Sequence, residues 1–201
     1  MTVQSSRFAR PVAPGAEHAR TIGWWGMLLG IIALAHFVGA LVVAYLYLRA
    51  GHAEWPPAGV ELPQLTLPAV ATALTAVAAT LATLEVRWTA RHGPVGMAGA
   101  LGAMLTGILA IVVRAAVLTD AGFRWDEHAY GSLYWLLNAT DITLVAAAVI
   151  GSATILAQHA MGDYDTEHHD EIRVLSLYWW FAVAASVALY VVTNLVPYMG
   201  G

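Results

Sequence analysis

The feature that most constrains this chain is a set of five apolar stretches, each long enough to cross a bilayer. A spanning helix takes about 20 mostly apolar residues. Stretches from about Ile22 to Leu48, Leu65 to Leu84, Val95 to Leu118, Ser132 to Gln158 and Val174 to Val196 meet that length. None has the sustained polar face of a surface helix in a soluble bundle. Composition agrees, since 59% of the residues are hydrophobic and only 11% are charged, against roughly a quarter charged in soluble domains. The expected fold is all-α, a bundle of five transmembrane helices. Residues 21–201 form the membrane domain. Residues 1–20 hold Arg7, Arg10, Pro11, Pro14, Glu17, His18 and Arg20. They lack the apolar core of a signal peptide and read as a mostly disordered cytoplasmic tail.

Arginine placement sets the expected orientation. The tail (Arg7, Arg10, Arg20), the second connection (Arg87, Arg91) and the fourth (Arg173) fall on one side, whereas Arg49 and Arg124 fall on the other. The positive-inside rule then puts the N-terminus in the cytoplasm and the C-terminus outside. No basic stripe with interleaved aromatics is present, which argues against a nucleic-acid partner. The absence of cysteine excludes disulfides, thiolate-bound zinc and iron–sulfur clusters. No phosphate loop, nucleophile elbow, zinc-protease motif or dinucleotide fingerprint occurs, so nothing points to hydrolytic or nucleophilic catalysis.

Small residues suit close helix contact in lipid. Gly26 and Gly30, the group Gly96, Gly99, Gly102 and Gly107, and the alanine runs at Ala69–Ala82 and Ala146–Ala148 are candidates. The eight tryptophans lie mostly near segment ends, as aromatic belts require.

Ionisable groups inside spans are costly, roughly 2.5–3.5 kcal/mol each at the centre on insertion scales. Arg114 near the outer end of the third span and Asp141 in the outer half of the fourth fall at similar depth. An ion pair between them would offset much of that cost; the alternative is separate snorkelling to the interface. A proton-relay role for Asp141 is a further alternative. His36 lies near the middle of the first span, and haem ligation normally takes a second axial ligand. With no second mid-span histidine, the expectation is a neutral His36 hydrogen-bonded to a neighbouring helix. The run from Met161 to Glu171 is dense in carboxylates and imidazoles, which fits a solvated loop better than a metal site.

The most distinctive stretch is Glu54-Trp-Pro-Pro-Ala-Gly-Val-Glu-Leu-Pro63. The adjacent Pro56 and Pro57 enforce extended backbone after Trp55, Gly59 frees the next turn, and Pro63 sits near the favoured start of a helix. Trp55, Pro56, Pro57, Gly59 and Pro63 thus describe a rigid structural loop between helices. The sequence W-P-P-x-G followed by a helix-opening proline resembles the corresponding loop of subunit III of the haem-copper terminal oxidases. Gly39, Tyr45 and Tyr47 upstream agree. Ala129-Tyr-Gly-Ser-Leu-Tyr134 is similar to that family's Y-G-S-x-F, and Ser176-Leu-Tyr-Trp-Trp-Phe181 to its Y-Y-W-H-F. The likeness runs from about residue 22 onwards and fits the short five-helix bacterial form.

The departures fall on polar positions. Ile31-Ile-Ala-Leu-Ala35 has no carboxylate where the family has a glutamate. Asp141 and Leu144 stand where two histidines are expected, Arg114 stands for a glutamate, Trp180 for a histidine and Val183 for an aspartate. The resemblance implies an accessory, non-catalytic subunit in a bacterial or archaeal plasma membrane. Its partners would be the catalytic subunit I and subunit II, with haem and copper held there and none bound by this chain, and phospholipid along its helices. It also implies support of proton uptake, which the missing carboxylate weakens. Alternatives are an accessory subunit of a nitric oxide reductase or other respiratory complex, and a small transporter lined by Asp141, Arg114 and His36.

Overall fold

Five helices long and apolar enough to span a membrane make up most of the described residues, and the protein is a multi-pass membrane protein. The computed structural model describes residues 16–92, 96–162, 164 and 170–199, and these contain no strand. The helices are α1 (Ala16–Ala50), α2 (Thr66–His92), α3 (Met97–Thr119), α4 (Ala129–Met161) and α5 (Asp170–Tyr190). A π-helical turn, Val191–Leu195, and a 3-10 turn, Val196–Met199, complete the last span.

Three boundaries differ from the sequence reading. Ala16–Arg20 belong to α1 rather than to the tail, and residues 1–15 lie outside the described residues. α2 runs on past Leu84 to His92. Hydropathy falls at Glu85 and Arg87, but backbone hydrogen bonding does not need apolar side chains, so the helix continues. Pro63 lies three residues ahead of α2, and the proline in its first turn is Pro68, where a missing N–H leaves no helical bond unmade.

α2, α3, α4 and α5 pack as a tight group, and α1 lies against α5 and α4. The core has two layers. One joins the end of α1, the Trp55 loop and the start of α4 through Tyr45, Trp55, Tyr130 and Leu137. The other joins α2 to α3, α4 and α5 through Ala78, Ala82, Ala100, Ala103, Ala148 and Trp179.

The glycines divide accordingly. A Cβ on Gly107 would meet Val149 at 2.6 Å and Trp179 at 2.7 Å, and one on Gly99 would meet the backbone of Glu85 at 2.8 Å. Only hydrogen fits there, as expected for lipid-phase helix contacts. Among the described residues, nothing lies within 4 Å of a Cβ built on Gly26 or Gly30. The expectation of close packing therefore fails for α1, whose central window is almost wholly uncovered by the rest of the chain. Gly26→Ala and Gly30→Ala are expected to leave stability unchanged or raise it by up to about 1 kcal/mol each, the helix-propensity difference. Thermal denaturation in detergent micelles checks this.

Candidate functional site

The Arg114 guanidinium lies 2.5 Å from the Asp141 carboxylate, and both side chains are 3% exposed. A second Arg114 contact is to Thr72 on α2, whose hydroxyl accepts at 3.1 Å. Thr72 donates in turn to the Pro68 carbonyl at 3.0 Å. Ser186 on α5 donates to Asp141. One ion pair therefore ties α2, α3, α4 and α5 together. Breaking such a pair leaves a charge stranded in a low-dielectric interior. The space beside it, lined by Ala71, Thr75, Ala110, Ile111, Ile142 and Val145, is too small for a water molecule.

The Trp55 loop closes one end of the bundle. Trp55 is buried with its ring edge-on to Tyr45 at 5.5 Å and to Tyr130 at 5.3 Å. Pro56 and Pro57 behind it are half-buried, and the Trp55–Pro56 peptide bond is cis. Pro57 departs from a purely extended reading. Its carbonyl accepts from the Val60 N–H at 3.1 Å, so the chain reverses at once instead of running on. Gly59 makes that reversal with φ +89°, a conformation that favours glycine. The loop's last carbonyls are held by the far end of the chain. Tyr198 donates to Pro63 at 2.9 Å and Asn194 to Gln64 at 2.9 Å. These hydrogen bonds satisfy backbone groups that lipid would leave unpaired.

The other two motifs are structural as well. In the stretch 129–134, Gly131 N–H donates to the ring of His128 at 2.7 Å, which caps α4. A Cβ on Gly131 would meet the Arg124 carbonyl at 2.7 Å. In the stretch 176–181, Tyr178 donates to the Leu144 carbonyl at 3.1 Å, Trp179 to Ser152 at 3.0 Å and Trp180 to Thr83 at 2.9 Å. Trp180 thus reaches α2.

His36 departs from expectation. Its Nδ1 is 2.7 Å from the carbonyl of Ile32, one turn earlier on its own helix, and the ring is exposed on α1. Among the described residues, no other helix covers this ring to accept the expected bond. Of the acidic run Met161–Glu171, residues 163 and 165–169 lie outside the described residues.

A second buried polar pair has no counterpart in the sequence reading. Glu85 Oε1 lies 3.3 Å from His159 Nε2, with each side chain 1% exposed. By hydropathy Glu85 sits just beyond the edge of the second span, and His159 is one of several histidines near span ends. A signal is present in the helical phase. Glu85 and Thr89 continue the stripe of Ala78 and Ala82, and His159 continues Ala148, Ser152 and Ile155, all of them buried. Residues at such spacing share a face.

No protein-family model matches the chain, and no curated protein matches it either.

Proposed function

We propose that the chain is an accessory, non-catalytic subunit of a respiratory haem-copper terminal oxidase, which docks beside the catalytic subunit and stabilises it. One observation carries this reading. The three stretches that resemble subunit III, Trp55–Pro63, 129–134 and 176–181, each hold helices together, through the Trp55–Tyr130 contact and the bonds of Tyr178, Trp179 and Trp180. Each motif thus has a scaffolding task and none builds a reaction site. The partners are the catalytic subunit I and subunit II, which hold haem and copper. Phospholipid covers the outer helix faces. The membrane is the plasma membrane of a bacterial or archaeal cell, and the arginine distribution supports a cytoplasmic N-terminus.

Transport is the weaker reading. A conducting path needs polar groups that face water, and Arg114 and Asp141 face each other where no water fits. Proton uptake through Asp141 is disfavoured for the same reason.

Affinity purification of the tagged protein from its native membranes, in mild detergent, tests the proposal. Haem-containing partners are expected to co-purify in fixed ratio. Recovery of the protein free of any haem protein would overturn the oxidase reading, and partners with the spectrum of a nitric oxide reductase would move it within the respiratory complexes.

A further inference from the structure

The structure assigns a proton-binding site to the buried Glu85–His159 pair, with His159 Nδ1 as the accepting atom. The site lies at the end of the bundle where α2 and α4 finish and α3 and α5 begin, away from Arg114 and Asp141. It stands independently of the docking role proposed above.

Glu85 Oε1 faces His159 Nε2 at 3.3 Å. A carboxylate beside one ring nitrogen fixes the tautomer that carries its proton there. With Glu85 ionised and the ring proton on Nε2, Nε2–H donates to Glu85 and Nδ1 keeps its lone pair. Nδ1 is buried and has no hydrogen-bond partner among the described residues. An imidazole held by a carboxylate on one side, with a bare nitrogen on the other, is a base with room for one proton. Uptake at Nδ1 converts neutral imidazole plus carboxylate, net charge −1, into imidazolium plus carboxylate, net charge zero. No bond between heavy atoms changes.

The pair sits beside the connection between α4 and α5. The Tyr164 ring packs on the imidazole at 4.9 Å. Its hydroxyl, which carries one proton, lies within hydrogen-bond reach of Gln158 and of Glu171, and Glu171 is exposed. Among the described residues, the groups around the pair are Tyr164 from the connection, Glu171 from α5 behind it, and Thr89 from α2. The buried Thr89 hydroxyl is also without a partner among the described residues. α3 faces the pair with Gly99 and Gly96, which carry no charge and press on Glu85 and Thr89. Arg87, Arg91 and Arg173 lie on exposed surfaces of α2 and α5. Arg114 and Asp141 are bonded further by Thr72 and Ser186, whereas here the basic nitrogen is left open.

The test is a pH titration of the full chain in lipid nanodiscs, read by the ring 15N resonances of labelled histidine. His159 is assigned by the signals lost in His159→Gln. The Nδ1 resonance is expected to move reversibly from the imidazole to the imidazolium position between about pH 5 and pH 8, where histidine switches. Glu85→Gln should lower the midpoint by about one pH unit or more, because the neighbouring negative charge is gone. Glu85→Asp should restore part of that shift. A His159 resonance that stays fixed across the range overturns the proposal, whatever the variants do. An unchanged midpoint in a folded Glu85→Gln protein overturns the role given to Glu85.

Discussion

Replacing Arg114 with methionine is expected to destabilise the bundle by about 3 kcal/mol, the lower end of the loss seen when one partner of a buried pair is removed. Among the described residues, Asp141 would then keep only the Ser186 hydroxyl as a donor. Asp141→Leu should cost a similar amount, since it strands the guanidinium with Thr72 alone. The double variant Arg114→Met/Asp141→Leu should lie closer to the unsubstituted protein than either single one. Apolar side chains of suitable volume often replace a buried ion pair at little net cost. Unfolding in mixed detergent micelles measures all three. Simple additivity of the two single losses would contradict the direct contact.

Gly99→Val is the second substitution with a large expected effect. Its Cβ would fall 2.6 Å from the Glu85 Cβ, 2.8 Å from its Cα and 2.9 Å from its nitrogen. Backbone cannot swing aside as a side-chain tip can, so α2 and α3 must part. Overpacking of this kind costs about 1–3 kcal/mol. Gly102→Ala is the matched control, because the nearest atom there is the Leu81 Cδ1 at 3.2 Å, the end of a flexible side chain. Its loss should be well under half that of Gly99→Val in the same assay. Equal losses would mean that α2 and α3 do not meet as closely as described.

The membrane bundle was legible in the sequence because length and hydropathy act on whole segments. The five spans required no knowledge of neighbours. The Arg114–Asp141 contact was legible for a related reason: two opposite charges at matched depth have few other places to go. Glu85 and His159 were less so. Hydropathy windows end a span at its first charges, and Glu85 with Arg87 ends the second one early. Only the buried stripe through Ala78, Ala82, Glu85 and Thr89 separates the inward carboxylate from the outward arginines. His36 misleads in the opposite sense. Its mid-span position suggests a partner helix, but a histidine can bond the carbonyl one turn back. Which face of α1 is covered cannot be read from a helix that is apolar all round. In the Trp55 loop, Pro56, Pro57 and Gly59 announce a stiff connection, and the turn from Pro57 to Val60 follows from them locally. The bracing of Pro63 and Gln64 by Tyr198 and Asn194 depends on contacts about 130 positions apart, which no local pattern records.

The closeness of Arg114 and Asp141 also determines how the bundle responds to voltage. The membrane potential does work on net charge that changes depth, about 2.3 kcal/mol per elementary charge per 100 mV. Two opposite charges 2.5 Å apart occupy nearly one depth and move as a neutral unit. The pair therefore contributes no net gating charge at that depth. Removing either partner would create one.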